Sequence, residues 1–217
     1  MKRPRSLGEW QALHARIYEE KNRRDYTPED LALRLSEEMS FIAECLRKEA
    51  YEELVERLPR FYLWFLAFCS MTSLSLEGAI WEKYHGCCPY CGALKNCFCI
   101  SNETKSEHLH RAEDASKPVT LKEWQDFFFD LYGKINKLLP TVTVGLHLAE
   151  EVGEVSRAFR LQEREGEKPL HDEVADVMAW LFALSSKLSI DLEEVTWRTY
   201  PGVCDVCGKE QCECNLV

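Results

Sequence analysis

Apolar positions in this chain recur three and four residues apart, the spacing of helices, and nowhere alternate over a run long enough to argue for a sheet. Leu31, Leu35, Met39 and Ile42 form one such stripe, and Thr27 followed by Pro28 supplies a cap and a first-turn proline for it. The run FYLWFLAFCSM predicts a more deeply buried helix, with Pro59 fitting its first turn. At 100° per residue, Leu148, Val152, Val155 and Phe159 make an apolar stripe, beside a second stripe of His147, Glu151, Glu154 and Ala158. Gly166 and Pro169 then break the chain. On the following helix Glu173, Asp176, Val177, Trp180 and Leu184 share one stripe, so the carboxylate end turns inward with the apolar end. Asp191 caps a short helix that includes Val195. These elements predict an all-α fold with four-helix-bundle packing.

The pattern occurs twice. LGEWQ (Leu7 to Gln11) returns as LKEWQ (Leu121 to Gln125), and LSEEM (Leu35 to Met39) as LAEEV (Leu148 to Val152). Thr72 to Gly92 returns as Leu188 to Gly208. Each copy reads as three helices, a short helix and a cysteine knuckle, giving units at 1–100 and 120–217. The segment 101–119, rich in Ser, Glu, Lys and His without apolar periodicity, reads as a linker whose His108 and His110 are solvated. All six tryptophans fall at matched positions: Trp10 with Trp124, Trp64 with Trp180, Trp81 with Trp197. That favours a core role for Trp180 over stacking on a nucleobase.

Glu151 and Glu154 project from one helix face, and Glu173 and Asp176 from the next. Several carboxylates side by side and out of water are costly, by desolvation and by mutual repulsion. A hard divalent cation with oxygen ligands relieves both costs. The alternative is a pair of solvated acidic faces, which fits one such pair better than two on consecutive helices. The run E-E-x-x-E, with E-x-x-D following after 18 residues, resembles the signature of the all-α nucleoside triphosphate pyrophosphohydrolases of the MazG type. LHDEVADVMAWLFALSSKLSIDLEEV resembles that family's third and fourth helices. The resemblance implies cleavage of a (deoxy)nucleoside triphosphate between its α and β phosphates, giving the monophosphate and pyrophosphate. It also implies Mg²⁺, or Mn²⁺, held by Glu151, Glu154, Glu173 and Asp176. Two ions there would neutralise and orient the triphosphate and activate a water. Glu150 is the candidate for the group that positions or deprotonates that water, an outward-facing surface charge being its other role. His147, Trp180 and Lys168 are candidate substrate contacts, and Arg164 and Lys187 further cations within reach of phosphates. Phosphoribosyl-ATP pyrophosphatase shares the fold and offers a third activity, and a non-catalytic, nucleotide-sensing or protein-binding scaffold is the reading from another class. The family's dimers imply that the two copies form an intramolecular pseudo-dimer; further pairing of chains stays open.

The copies differ in their acidic residues. Glu150 and Glu151 match Glu37 and Glu38, but Glu154 matches Phe41, Glu173 matches Arg57, Asp176 matches Arg60 and His147 matches Arg34. The chemistry is therefore expected in the second copy alone. In the first, an arginine fork on a carboxylate is expected where the second copy takes its metal.

Eleven cysteines form the other constellation. Cys88, Cys91, Cys97 and Cys99 make C-x-x-C then C-x-C, and Cys204, Cys207, Cys212 and Cys214 repeat it. Two thiolate pairs at these spacings close a tetrahedral Zn²⁺ site with no open position, so two structural zinc ions are expected. Disulfides and an iron–sulfur cluster are the alternatives. Cys45 and Cys69 lie in apolar helical text and read as core, and Cys87 falls outside the repeat. The formal net charge is −10. Two zinc-thiolate knuckles take it to about −14, which argues against a nucleic-acid partner. The basic start MKRPRSLGEW has no apolar segment behind it, and no apolar run reaches the ~18 residues of a membrane span, so a cytoplasmic protein without a membrane partner is expected.

Overall fold

The computed structural model describes residues 2–99 and 110–215; 100–109, with His108, lies outside the described residues, while His110 is exposed. The described residues form eight α-helices and no strand. In chain order these are α1 (Leu7–Asp25), α2 (Pro28–Lys48), α3 (Leu54–Met71), α4 (Leu76–Lys83), α5 (Leu121–Leu138), α6 (Thr141–Glu165), α7 (Lys168–Lys187) and α8 (Leu192–Thr199). Their starts follow local chemistry. Thr27 and Thr120 each complete a capping box, with Asp30 and Glu123, and the Asp191 carboxylate accepts from the Glu194 N–H. Gly166 at φ +82° ends α6 in a conformation that a side chain would resist, and Pro169 sits in the first turn of α7. One expectation shifts: α3 begins at Leu54, so Pro59 lies inside the helix and not in its first turn. A turn of 3-10 helix at Tyr51–Glu53 leads into it and lets the helix start early.

The core is one apolar cluster drawn from both halves of the chain. Helices α2 and α3 pack together, as do α6 and α7, and α2 lies against α6. Helix α1 covers α3, and α5 covers α7. Gly145 marks the approach of α6 to α2, since a Cβ there would stand 2.1 Å from Leu46 Cδ1. The short helices cross over: α4 packs on α7 and α8 on α3. Two glutamines tie them in place. Gln11 of α1 donates to the Leu74 carbonyl at 2.8 Å and accepts from the Leu76 N–H at 3.1 Å. Gln125 of α5 does the same to Ile190 and Leu192, at 2.8 and 3.0 Å. These bonds give the shared L-x-E-W-Q text a physical purpose, since each glutamine satisfies two backbone groups at the start of a short helix. Among the described residues no single helix is long and apolar enough to cross a membrane.

Candidate active site

Helix α6 buries Leu148, Val152 and Val155, and α7 buries Val174, Val177 and Met178, so the acidic stripe of each helix is carried to the seam where the two pack. There Glu151, Glu154 and Glu173 converge, each offering an oxygen within 4.8 Å of the others. Glu151 and Glu173 are half-buried and Glu154 is exposed. Asp176 lies beside this group with its oxygens engaged elsewhere. Lys83 Nζ of α4 donates to Asp176 Oδ2 at 2.5 Å, and the Tyr84 hydroxyl donates to Oδ1 at 2.6 Å. Lys83 also reaches the Asp172 carbonyl, at 3.2 Å.

The cluster is electrostatically loaded. Burial, then the charges of Asp176, Glu154 and Glu173, push Glu151 up to about 8, against the pull of Lys83. Burial also raises Glu173 to about 7; Lys83 opposes that rise, while Asp176 and Glu154 add to it. Burial works against a charged Lys83, yet Asp176 and its neighbours more than offset it, so its pKa is raised. Glu151 Oε2 is buried with no hydrogen-bond partner. Converging acceptor-only oxygens, one of them orphaned, fit a hard divalent cation.

Residues 141–200, which carry all four of these carboxylates, match the family model of the MazG nucleotide pyrophosphohydrolase domain. That stretch is similar to a MazG nucleotide pyrophosphohydrolase domain. No curated protein and no solved structure matches the chain. The matched segment takes in α6, α7 and α8, whereas Lys83 and Tyr84 come from outside the MazG match and were not singled out by sequence. One signal was present: Lys83 stands opposite Thr199 in an otherwise well-matched stretch. A difference between copies does not say which helix the residue meets.

The other candidates lie elsewhere on these two helices. Glu150 points outward, 63% exposed, with Oε2 3.4 Å from His147 Nδ1. The His147 ring stacks on Trp180, centroids 4.3 Å apart and planes at 15°. Trp180 is half-buried, unlike the enclosed Trp10 and Trp124. Lys168 is exposed and pairs with Asp172 at 3.0 Å on its own helix. Arg164 pairs with Glu165, and Lys187 caps the α5 carbonyls of Asn136 and Lys137.

At the matched positions of the first half the chemistry is different. Glu38 is 1% exposed and has Arg34 at 3.2 Å and Arg60 at 3.5 Å. Burial raises its pKa although Arg60, Arg34 and Arg57 all oppose this. Arg57 stands over the Phe41 ring at 4.8 Å. So Arg57 and Phe41, which match Glu173 and Glu154, meet as a cation–π pair and not as a second ion pair on Glu38. Arg34 stands over Trp64 at 4.9 Å, as His147 stacks on Trp180.

In each cysteine set the four sulfurs lie within 4.8 Å of one another, and all eleven cysteines are free thiols. Cys91 and Cys97 are 3.6 Å apart, Cys204 and Cys212 3.4 Å, and Cys204 and Cys214 3.9 Å. A tetrahedron with metal–sulfur bonds of ~2.3 Å has sulfurs ~3.8 Å apart, so both sets fit zinc. Backbone N–H groups of Glu213 and Lys209 hold the Cys207 thiol down to about 6, close to its ligand form. Cys45 and Cys69 are buried in the core, and Cys87 stands apart from the set beside it. Each knuckle docks on the far half of the chain: the Cys97 N–H donates to the Leu131 carbonyl of α5, and the Cys212 N–H to the Ile17 carbonyl of α1.

Proposed function

We propose that this protein hydrolyses a (deoxy)nucleoside triphosphate to the monophosphate and pyrophosphate, with Mg²⁺ or Mn²⁺, through residues of its second half. The observation that carries the reading is the convergence of Glu151, Glu154 and Glu173 within a MazG match. In the reaction water adds across the α–β anhydride bond: its oxygen joins one phosphorus and the bridging oxygen leaves with the other. The bound cation supplies charge neutralisation and a more acidic water. Glu151, Glu154 and Glu173 would hold it. Lys83 and the Tyr84 hydroxyl both donate to Asp176, which keeps Lys83 at the edge of the cluster, where a buried ammonium would meet the phosphates. His147 and Trp180 form a stacked pair at the outer end of the same seam and would flank the nucleoside. Glu150 lies on the outward side of α6, where its contact with His147 gives it a positioning role.

The first half is the non-catalytic partner in this reading. Arginines on Glu38 and the Phe41–Arg57 pair occupy the places of the metal ligands. The crossing of α4 onto α7 and of α8 onto α3 supports two MazG-like units joined as an intramolecular pseudo-dimer, with a zinc ion in each knuckle. Pyrophosphate release from a panel of nucleoside triphosphates and phosphoribosyl-ATP, with Mg²⁺ or Mn²⁺, tests the reaction. Turnover of one triphosphate, lost in Glu154→Gln with helical content unchanged, is the expected result. No pyrophosphate from any member of the panel overturns it.

A further inference from the structure

The first cysteine knuckle follows directly on the end of α4 that meets the acidic cluster. Lys83 and Tyr84 close that helix and both bond Asp176, and Cys88 follows with three residues between. The Tyr84 ring packs edge-on against Phe128 and Tyr132 of α5, at 4.9 and 6.3 Å. The knuckle is bonded to that same helix. Its Asn96 and Cys97 N–H groups donate to the Asp130 and Leu131 carbonyls at 2.9 and 2.7 Å, and Lys95 pairs with the Asp130 carboxylate at 2.7 Å. The turn between its first two cysteines is Pro89-Tyr90, closed by the Gly92 N–H on the Cys88 carbonyl at 2.9 Å. Tyr90 is half-buried against the main core, and Lys83, Asp176 and Glu151 all act electrostatically on its hydroxyl.

The two knuckles differ at this turn. The repeat puts Tyr90 opposite Val206, and Tyr84, Asp176 and Trp180 opposite Tyr200, Arg60 and Trp64. Val206, Tyr200, Arg60 and Trp64 line one pocket beside the second knuckle. The Tyr84–Asp176 bond shows the same arrangement on the side of the acidic cluster, with Tyr90 as the residue of the knuckle turn. Val206 is apolar and 78% exposed, so it offers that pocket no polar group. Tyr90 is tucked in, and its phenol is a neutral hydrogen-bond donor at ordinary pH. A polyphosphate chain is recognised by cations and by hydroxyl donors to its charged oxygens. Lys83 is the cation at the cluster's edge, and Tyr90 is a hydroxyl within its electrostatic reach. Both flanking cysteines belong to the four-sulfur set, so a metal bound there fixes the turn that carries the tyrosine.

We propose that the first knuckle is part of the substrate site: the Tyr90 hydroxyl donates to the phosphate chain of a triphosphate bound at the acidic cluster, beside Lys83, and zinc on Cys88 and Cys91 holds that turn in place. This rests on the reading that the cluster takes a triphosphate, but binding and not turnover tests it. The probe is inorganic triphosphate, titrated calorimetrically with Mg²⁺ into the full zinc-loaded chain. Saturable binding of one triphosphate per chain is expected. Tyr90→Phe keeps the ring and removes the hydroxyl. It should weaken binding about tenfold, with zinc content, helical content and the cluster's affinity for Mn²⁺ unchanged. Cys91→Ser, which empties the first knuckle, should weaken binding at least as much, whereas Cys207→Ser at the matched position of the second should leave it unchanged. Should Cys91→Ser fail to fold, Tyr90→Phe decides, and unchanged affinity there overturns the proposal. So does the absence of saturable binding, an equal loss in Cys91→Ser and Cys207→Ser, or a loss in Tyr90→Phe matched by a loss of Mn²⁺ affinity. Tyr90-dependent binding in a chain that releases no pyrophosphate from any nucleotide would overturn the hydrolysis and leave this contact standing.

Discussion

Glu151 is a half-buried acid that burial and three neighbouring carboxylates push up to about 8, from an ordinary value of 4.5. Below pH 4.5 the folded and unfolded chains both hold this proton. Between about 4.5 and 8 the unfolded chain has released it and the folded chain has not, so rising pH favours unfolding. Glu173, raised to about 7, acts in the same direction. Without added divalent ion the melting temperature should therefore fall from pH 5 to pH 8. Glu151→Gln should flatten that slope, and saturating Mg²⁺ should remove it. An equal slope in wild type and variant would rule out Glu151 as its source. Lys83 gives the second prediction at this scale. Its side chain is 8% exposed and that of Asp176 14%, so Lys83→Met removes one member of a buried pair, a change that costs about 3 kcal/mol. Chemical denaturation should show that loss, and turnover should fall with it, because Asp176 is left without its ion-pair partner beside the acidic cluster. Full activity in a folded Lys83→Met would remove Lys83 from the site. The face carrying Glu151, Glu154 and Glu173 was legible in the sequence, because helical spacing places it beside an apolar stripe. The engagement of Asp176 was not, because its partner lies 93 residues away, on a helix that spacing alone cannot dock.

At the scale of elements, apolar stripes, caps and breakers located the helices. The start of α3 escaped, since a proline argues for a first turn more readily than for a helix interior, and the 3-10 turn ahead of it carries no comparable signal. Close packing of α2 on α6 depends on Gly145, whose missing side chain admits Leu46. Gly153 lies on the same helix, exposed, and a methyl group added there would meet nothing within 4 Å. The two should therefore respond in opposite directions to alanine. Gly145→Ala overpacks the α2–α6 contact and should destabilise by about 1–3 kcal/mol. Gly153→Ala gains helix propensity and should stabilise by about 0.5–1 kcal/mol. Urea denaturation of both variants checks this, and stabilisation by Gly145→Ala would show that the two helices do not need that approach.

At the scale of the whole molecule, the halves are braced across each other. Short helices α4 and α8 pack on the far half's third helix, and each knuckle reaches the far half's first helix. Matched text predicted two knuckles, but not where they dock: a repeat shows that two segments are alike, and leaves open whether each folds onto its own half or onto the other. Each knuckle in fact docks on the far half. Cys204 and Cys212 form a small apolar cluster with Ile17 of α1. The Cys212 N–H donates to the Ile17 carbonyl, and the Tyr18 hydroxyl donates to Asp205 at 3.1 Å. Arg24 donates to the Cys214 carbonyl at 3.1 Å, and Gln211 to Glu20. Four cysteines on one zinc ion would hold this clip closed, since metal binding and local folding are one equilibrium in so small an element. Cys207→Ser should thus lower zinc content from about two ions per chain to one. The resulting loss of order should appear in the middle of α1, around Ile17, as faster amide hydrogen exchange, while α5 beside the intact first knuckle keeps its protection. Pyrophosphohydrolase turnover should survive, because the carboxylates of α6 and α7 and the Lys83 that meets them lie at the other knuckle's end of the molecule. Faster exchange in α5 with α1 unchanged would show that each knuckle stabilises its own half after all.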